Sequence, residues 1–312
     1  MSDAGASPAG CVLGVGIATL DIVNEVAAYP EEDAEVRALA QRQVRGGNVT
    51  NSLVVLSQLG HACAWAGTLG DDSASGLILA DLERYAIDTR LAFRHPGRST
   101  PTSYIALSRA TGTRTIVHYR DLPELSEAEL DAGLAAQWDW LGAGCRWVHF
   151  EGRNTEETAA MLRLVRERLP GVPISLELEK LRPGCEQLLQ GPDLILFSRS
   201  FAQATGASDP VTFLTDWAPR STARHCTLAW GAQGAYGWTR GVGRAQVPAR
   251  PPERLVDTLG AGDVFNATVI DGLLRRFALP AVLDRANRLA GHKCGRQGLD
   301  GLGDSAKAAG FR

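Results

Sequence analysis

The chain lacks a long hydrophobic run. No stretch of its 312 residues approaches the roughly 18 consecutive apolar residues that a membrane-spanning helix needs. It also lacks a strong charge of either sign. Its 32 basic and 35 acidic residues give −3, which argues against a protein that holds nucleic acid by neutralising phosphates. Aromatic residues are few, at 6%, but the 45% hydrophobic and 21% charged residues are those of a globular chain and exclude a disordered one. The six cysteines, at 11, 63, 145, 185, 226 and 294, form no C-x-x-C pair. Neither a disulfide framework nor a zinc site is expected, and the expected compartment is the cytoplasm. The six histidines include no pair at ligand spacing. Lysine is scarce, three of the 32 basic residues, a bias that reads as genome composition. Residues 1–10 carry no Lys, Arg or apolar stretch, so they are expected to be a short disordered lead and not a signal peptide.

What is present is an alternation. Short apolar runs at 11–18, 62–67, 146–150, 173–178, 193–198 and 225–230 read as buried strands, and 88–94 is strand-like. Helical periods occupy 48–59, 73–85, 155–169, 184–190, 199–206, 210–218, 261–276 and 280–294. Strand–helix alternation of this kind predicts an α/β fold whose mostly parallel sheet is covered on both faces. Two segments break the rhythm. Residues 23–44 hold two β-like stretches around Tyr29-Pro30, and 102–119 read as a hairpin turning at 110–113. They predict a small separate β-layer, with lid segments at about 23–46 and 101–120, inserted into one domain over 11–302. Residues 303–312 are left as a tail.

The most informative string is Asp257-Thr-Leu-Gly-Ala-Gly-Asp263, which runs into an apolar helix. Glycines at a helix start let a ligand approach the backbone. The free amides of the first turn, with the positive end of the helix dipole, form an anion site. Asp263 then stands beside the anion, where a carboxylate can take the proton of a hydroxyl attacking phosphorus. Taken alone, G-x-G-D equally describes an Asp-capped helix after a glycine turn.

The whole string, together with Arg45-Gly-Gly-Asn48-Val-Thr-Asn51 and Gly67-x-x-Gly70-x-Asp72, resembles the ribokinase-like sugar kinases of the phosphofructokinase-B family. Tyr29-Pro-Glu-Glu-Asp33, Gly112-Thr-Arg-Thr-Ile116, Glu151-Gly-Arg-Asn154, Glu177-x-Glu179-Lys180 and Ala290-Gly-x-Lys-Cys294-Gly are similar to the ketohexokinase branch of that family. The likeness runs from about residue 11 to 302.

The resemblance implies a three-layer α/β/α core with a small β-sheet lid, or β-clasp. It implies transfer of the γ-phosphoryl of ATP, with Mg²⁺, to the 1-hydroxyl of D-fructose or a similar ketose. Asp263 is then the base, and the amides of Gly260, Ala261 and Gly262 form the anion hole. Asp21, Gly47, Asn48 and Asn51 hold sugar hydroxyls. Arg114 reaches the phosphates, while Arg199, Gly231, Gly234, Pro251 and Cys294 border the nucleotide. Asp257 belongs to a monovalent-cation loop that makes K⁺ an activator. Residues 196–203 lack the N-x-x-E of many relatives, leaving Glu177 and Glu179 as candidates for the magnesium shell. Arg199 stands where the branch has Lys, a different cation at a phosphate site. The implied assembly is a homodimer through the lid, with Asp33 reaching the partner's sugar site; no nucleic acid or membrane partner is implied. The residues also have plainer readings. Asn48 and Asn51 suit a helix N-terminus, and Arg114 and Asp33 suit solvated charges. Ribose, tagatose or a nucleoside as acceptor remains open, as does a catalytically silent sugar- or nucleotide-binding regulator.

Overall fold

The computed structural model describes residues 10–142 and 144–311. The expected lead therefore lies outside the described residues, apart from Gly10. Among the described residues the strands are β1 (Cys11–Val15), β2 (Thr19–Val26), β3 (Ala40–Gly46), β4 (Cys63–Leu69), β5 (Ile87–Arg94), β6 (Thr102–Ser108), β7 (Arg114–Tyr119), β8 (Cys145–Glu151), β9 (Ile174–Leu178), β10 (Leu194–Ser198), β11 (His225–Ala229), β12 (Ala235–Thr239) and β13 (Gly243–Val247). The α-helices are α1 (Asn48–Gln58), α2 (Ser73–Arg84), α3 (Glu127–Ala136), α4 (Trp138–Leu141), α5 (Thr155–Arg168), α6 (Arg199–Ala204), α7 (Pro210–Trp217), α8 (Ala261–Leu274), α9 (Leu279–Cys294) and α10 (Leu302–Ala308).

Nine strands form the main sheet in the order β13-β12-β11-β10-β9-β8-β1-β4-β5. All neighbours are parallel except at the β11–β12–β13 edge. Central strands such as CVLGV are buried at every position, as a parallel sheet covered on both sides requires. Adjacent residues go to opposite faces. Val12 joins Leu53, Phe265 and Val282 in one core, and Leu13 joins Leu130, Leu162 and Phe213 in the other. The result is helix, sheet, helix. Helix α8 is buried from Asp263 to Gly272, in keeping with its nearly all-round apolar sequence.

A second sheet of four strands, β3-β2-β6-β7, stands apart as the lid. The hairpin of β6 and β7 pairs Ile105 with Ile116. The sheet begins at Thr19, earlier than the alternation suggested. Only Gly16, Ile17 and Ala18 separate β1 from β2, so the apolar run conceals the passage from one sheet to the other. Other departures are local. Residues 185–189 form a 3₁₀ turn where a helix was expected. The helix α3, capped reciprocally by Ser126 and Glu129, and the edge hairpin β12–β13 were not anticipated. Residues 303–308 of the expected tail belong to α10, which buries Leu302, Gly303 and Ala306.

The carboxyl ends of β8, β9 and β10 carry Glu151, Glu177 and Ser198. Asn266 on the second turn of α8 donates to Glu177 Oε1 at 2.9 Å, which brings the start of α8 to this edge. In open α/β sheets ligands bind outside the carboxyl ends of the strands.

Candidate active site

Two glycines begin the site. A Cβ on Gly46 would overlap Asp21 Oδ2 and Thr19 Oγ1, so this position leaves room for the Asp21 carboxylate. Gly47 follows with φ 107° as the cap of α1. The first turns of α1 then present Asn48 and Asn51. Asn48 Nδ2 donates to Glu179 Oε2 at 3.2 Å, and Asn51 Nδ2 donates to Asp263 Oδ2 at 2.7 Å. Asp21 accepts from Thr19 Oγ1 at 2.9 Å, and burial holds its carboxyl above the usual range. Asp21, Asn51, Asp257 and Gly260 line one cleft of about 520 Å³ beneath the lid.

Asn51 is itself fixed by a residue of the same motif to which no role had been assigned. Arg45, whose side chain is 4% exposed, ion-pairs with Asp81 at 2.8 Å. Its Nη1 donates to Thr50 Oγ1 and to Asn51 Oδ1, each at 2.8 Å. With its oxygen taken by Arg45, the Asn51 amide must turn its nitrogen to Asp263. Arg45 opens the motif, but its partner Asp81 is remote in sequence.

Gly260, at φ 81°, caps α8, and Asp263 occupies the first turn. The Ala261 amide turns back to Thr258 O at 3.2 Å. The amides of Gly260 and Gly262 have no acceptor among the described residues, so two of the three expected donors are open. Asp263 is 7% exposed. Burial pushes its carboxyl up to about 8; the Asn51 bond pulls it down, while the charges of Glu179 and Glu151 push it further up. A carboxyl poised there is matched to proton transfer near neutral pH.

Glu177 completes an acidic cluster. It is held well above the usual carboxylate range, first by burial and then by Asp263, Glu151 and Glu179. Its Oε2 is buried without a hydrogen-bond partner. A divalent cation would satisfy that oxygen and relieve the repulsion. Among the described residues no group of three or more His, Cys, Asp or Glu side chains is set to hold a metal.

The side expected to take the nucleotide is more open. Arg114 on β7 is exposed and stands 3.5 Å from Thr258 Oγ1, beside the anion turn. A Cβ on Gly231 would lie 3.5 Å from Arg199 Nη1, so Arg199 and the 231–234 turn share the ends of β10 and β11. Pro251 belongs to the segment that crosses α9 on its way to Asp257. The amides of Val256 and Asp257 donate to Cys294 O at 2.8 and 3.2 Å. Asp33 is exposed at the β2–β3 turn with φ 66° and does not line the cleft of its own chain.

Asp257 does not fit the monovalent cation that the resemblance implies. Its Oδ1 accepts from the Leu259 amide at 2.9 Å and its Oδ2 from the Gly298 amide at 3.1 Å. Lys293 Nζ lies 2.8 Å from its carbonyl oxygen and 3.1 Å from Oδ2. A second cation on those oxygens would sit about 4 Å from the ammonium, where like charges repel by about 4 kcal/mol at an effective dielectric of about 20.

The description "pfkB family carbohydrate kinase" matches residues 12–303. Ketohexokinase of Mus musculus is 35% identical over 300 residues, 93% of this chain and 98% of that protein. An ATP-dependent ribose-1-phosphate kinase of Halopiger xanaduensis is 25% identical over 295 residues, 92% and 93% of the two chains. The structure of Arabidopsis thaliana ribokinase complexed with ribose and ATP superposes with a TM-score of 0.78 at 19% identity. It covers 93% of this chain and 94% of that one, a likeness of fold.

Proposed function

The chain belongs to the pfkB family of carbohydrate kinases and is an ATP-dependent sugar kinase, and on that premise we propose that its acceptor is a ketose, D-fructose, taken to the 1-phosphate. The observation that carries the acceptor is the 35% identity with a ketohexokinase over nearly the whole of both chains. Asp21, Asn48 and Asn51 offer a carboxylate and two amides, groups that bond vicinal hydroxyls in pairs. Asp263 takes the proton of the attacking hydroxyl as the oxygen closes on the γ-phosphorus. The amides of Gly260 and Gly262, at the positive end of α8, stabilise the charge that develops on the phosphoryl oxygens. Arg114 and Arg199 add cations on the nucleotide side, where Gly231, Gly234, Pro251 and Cys294 border the adenosine. Mg²⁺ would be held by Glu177 and Glu179 together with phosphate oxygens and would neutralise charge on the nucleotide. Potassium is no part of the proposal, because the Asp257 oxygens are engaged.

The proposal extends to assembly. Every residue of β7 is exposed, and Tyr104, Val117 and Tyr119, which share one face of the lid, are each about half exposed or more. An apolar lid face with a free edge strand needs cover, and a second copy of the chain about a two-fold axis is the simplest cover. Asp33 at the lid turn then enters the partner's sugar site. No helix among the described residues is long and apolar enough to cross a membrane. All six cysteines are free thiols, and the compartment proposed is the cytoplasm.

The test is ADP release across D-fructose, D-tagatose, D-ribose and a nucleoside, with NMR of the product. D-Fructose is expected to have the highest kcat/KM and to give the 1-phosphate. A tenfold preference for ribose would overturn the acceptor and leave the family intact.

A further inference from the structure

Lys293 is one of only three lysines in a chain with 32 basic residues, and it is fully buried, at 0% exposure. A buried ammonium needs partners of opposite charge or strong acceptors. Its partners are the carbonyl oxygen of Asp257, at 2.8 Å, and the carboxylate of the same residue, at 3.1 Å. Asp257 in turn accepts from the Leu259 amide at 2.9 Å and from the Gly298 amide at 3.1 Å. The first of these bonds folds Thr258 and Leu259 into the turn that ends at Gly260, whose amide is open to an anion. The Val256 and Asp257 amides fasten the same segment to Cys294 O. A single compact cation therefore sits behind the anion turn, on the two kinds of oxygen, carbonyl and carboxylate, that a dissolved monovalent cation would use.

We propose that the Lys293 ammonium is a covalently tethered monovalent cation, a positioning residue that holds Asp257 and the Gly260–Gly262 turn in place of dissolved K⁺. The inference rests on the reading of that turn as the phosphoryl site. Its shape suits the task. An ammonium is a small point charge that directs donors to two oxygens of one residue, whereas a guanidinium is a wide planar fork. In a chain that otherwise uses arginine, the lysine at this enclosed point matches the space. Lys293 also lies within electrostatic reach of Asp263, so it adds fixed positive charge to a cluster that contains Glu151, Glu177, Glu179 and the base. Since the tether supplies the cation at no cost in association, the Asp257 oxygens have no place left for dissolved K⁺.

The experiment compares wild type with Lys293→Ala in potassium, sodium and tetramethylammonium chloride at matched ionic strength. It records the thermal unfolding midpoint without substrate, and initial rates with D-fructose and ATP. Wild type should show the same midpoint in all three salts, and rates equal within about twofold. In Lys293→Ala, kcat should fall by about 10²-fold with the sugar KM changed far less, since a positioning loss at the anion turn acts on the transition state. Ammonium, methylammonium or potassium ions should restore at least about tenfold of that loss and raise the variant's midpoint above its value in tetramethylammonium. A potassium-specific rise in wild-type midpoint or a several-fold activation of wild type over sodium would overturn the proposal. So would a folded variant that no small cation rescues. If Lys293→Ala does not fold, the wild-type midpoints decide alone. The midpoints need no turnover, so an absence of sugar phosphorylation would count against the kinase reading and not against the tethered cation.

Discussion

Burial gives Asp263 a carboxyl that ionises near 8, and this has two consequences of different kind. As the proposed base it must be ionised, so kcat/KM for the sugar should rise about tenfold per pH unit below about pH 8 and level off above it. A pH–rate profile at saturating ATP checks this, and a flat profile between about pH 6 and 9 would contradict it. In stability the effect runs the other way. The folded-state value lies above the unfolded one, 3.8, so the folded chain holds the proton more tightly. The stabilisation is complete below the unfolded value and is lost as pH rises through the folded one. Asp263→Asn, which cannot ionise, should therefore gain in melting temperature over wild type as pH goes from about 5 to about 8, and gain no more beyond. Melting curves at acid and alkaline pH test it, and an advantage independent of pH would speak against a buried, shifted carboxyl. Gly46 offers a steric counterpart. In Gly46→Ala the new methyl overlaps Asp21 Oδ2 and Thr19 Oγ1. The sugar KM should rise about tenfold or more while the KM for ATP stays near wild type, read by varying each substrate in turn.

At the level of elements, the lid supplies Arg114 at the start of β7, 3.5 Å from Thr258 on the anion turn. Arg114→Ala should raise the KM for ATP and lower kcat, together costing about 10–10²-fold in kcat/KM for ATP, with the sugar KM little changed. Steady-state kinetics at fixed sugar measure it; an unchanged ATP KM would mark Arg114 as a solvated hairpin charge. The elements also show what a sequence discloses. Strands β8, β10 and β11 were legible because continuous apolar runs bounded by turns have few other uses. Helix α8 was legible from its glycine turn and apolar body. Where two signals merge, the reading failed: the apolar run through residues 11–18 hid the end of β1 and the start of β2. Helix α3 went unread although Ser126 and Glu129 spell a capping box, because the long segment between the lid hairpin and β8 shows little periodicity. The edge hairpin β12–β13 was lost in a stretch rich in glycine. In the site, Asn48, Asn51 and Asp263 were visible as motif. Arg45 and Lys293 acquire meaning only from Asp81 and Asp257, each 36 positions away, and no local pattern records such pairs.

For the whole molecule, the exposed lid and the cleft beneath it lead to one assembly experiment. If Asp33 acts across a two-fold axis, Asp33→Ala and Asp263→Asn should complement each other when mixed and allowed to exchange subunits. Random pairing makes half the dimers hybrid, each with one intact site, so about a quarter of wild-type activity should appear at low sugar concentration. Light scattering should show a dimer at assay concentration. A monomer, or a mixture no more active than its parts, would remove both the interface and the contribution in trans. In the proposed reaction a buried carboxylate beside an open pair of amides moves the proton of a ketose hydroxyl as phosphorus is transferred. Its most direct test is the turnover of Asp263→Asn beside wild type with D-fructose and ATP at about pH 8.5, together with sugar affinity by calorimetry. A fall in kcat of about 10²–10⁴-fold is expected with the sugar still bound; a variant that keeps more than about a tenth of wild-type turnover would show that Asp263 is not the base.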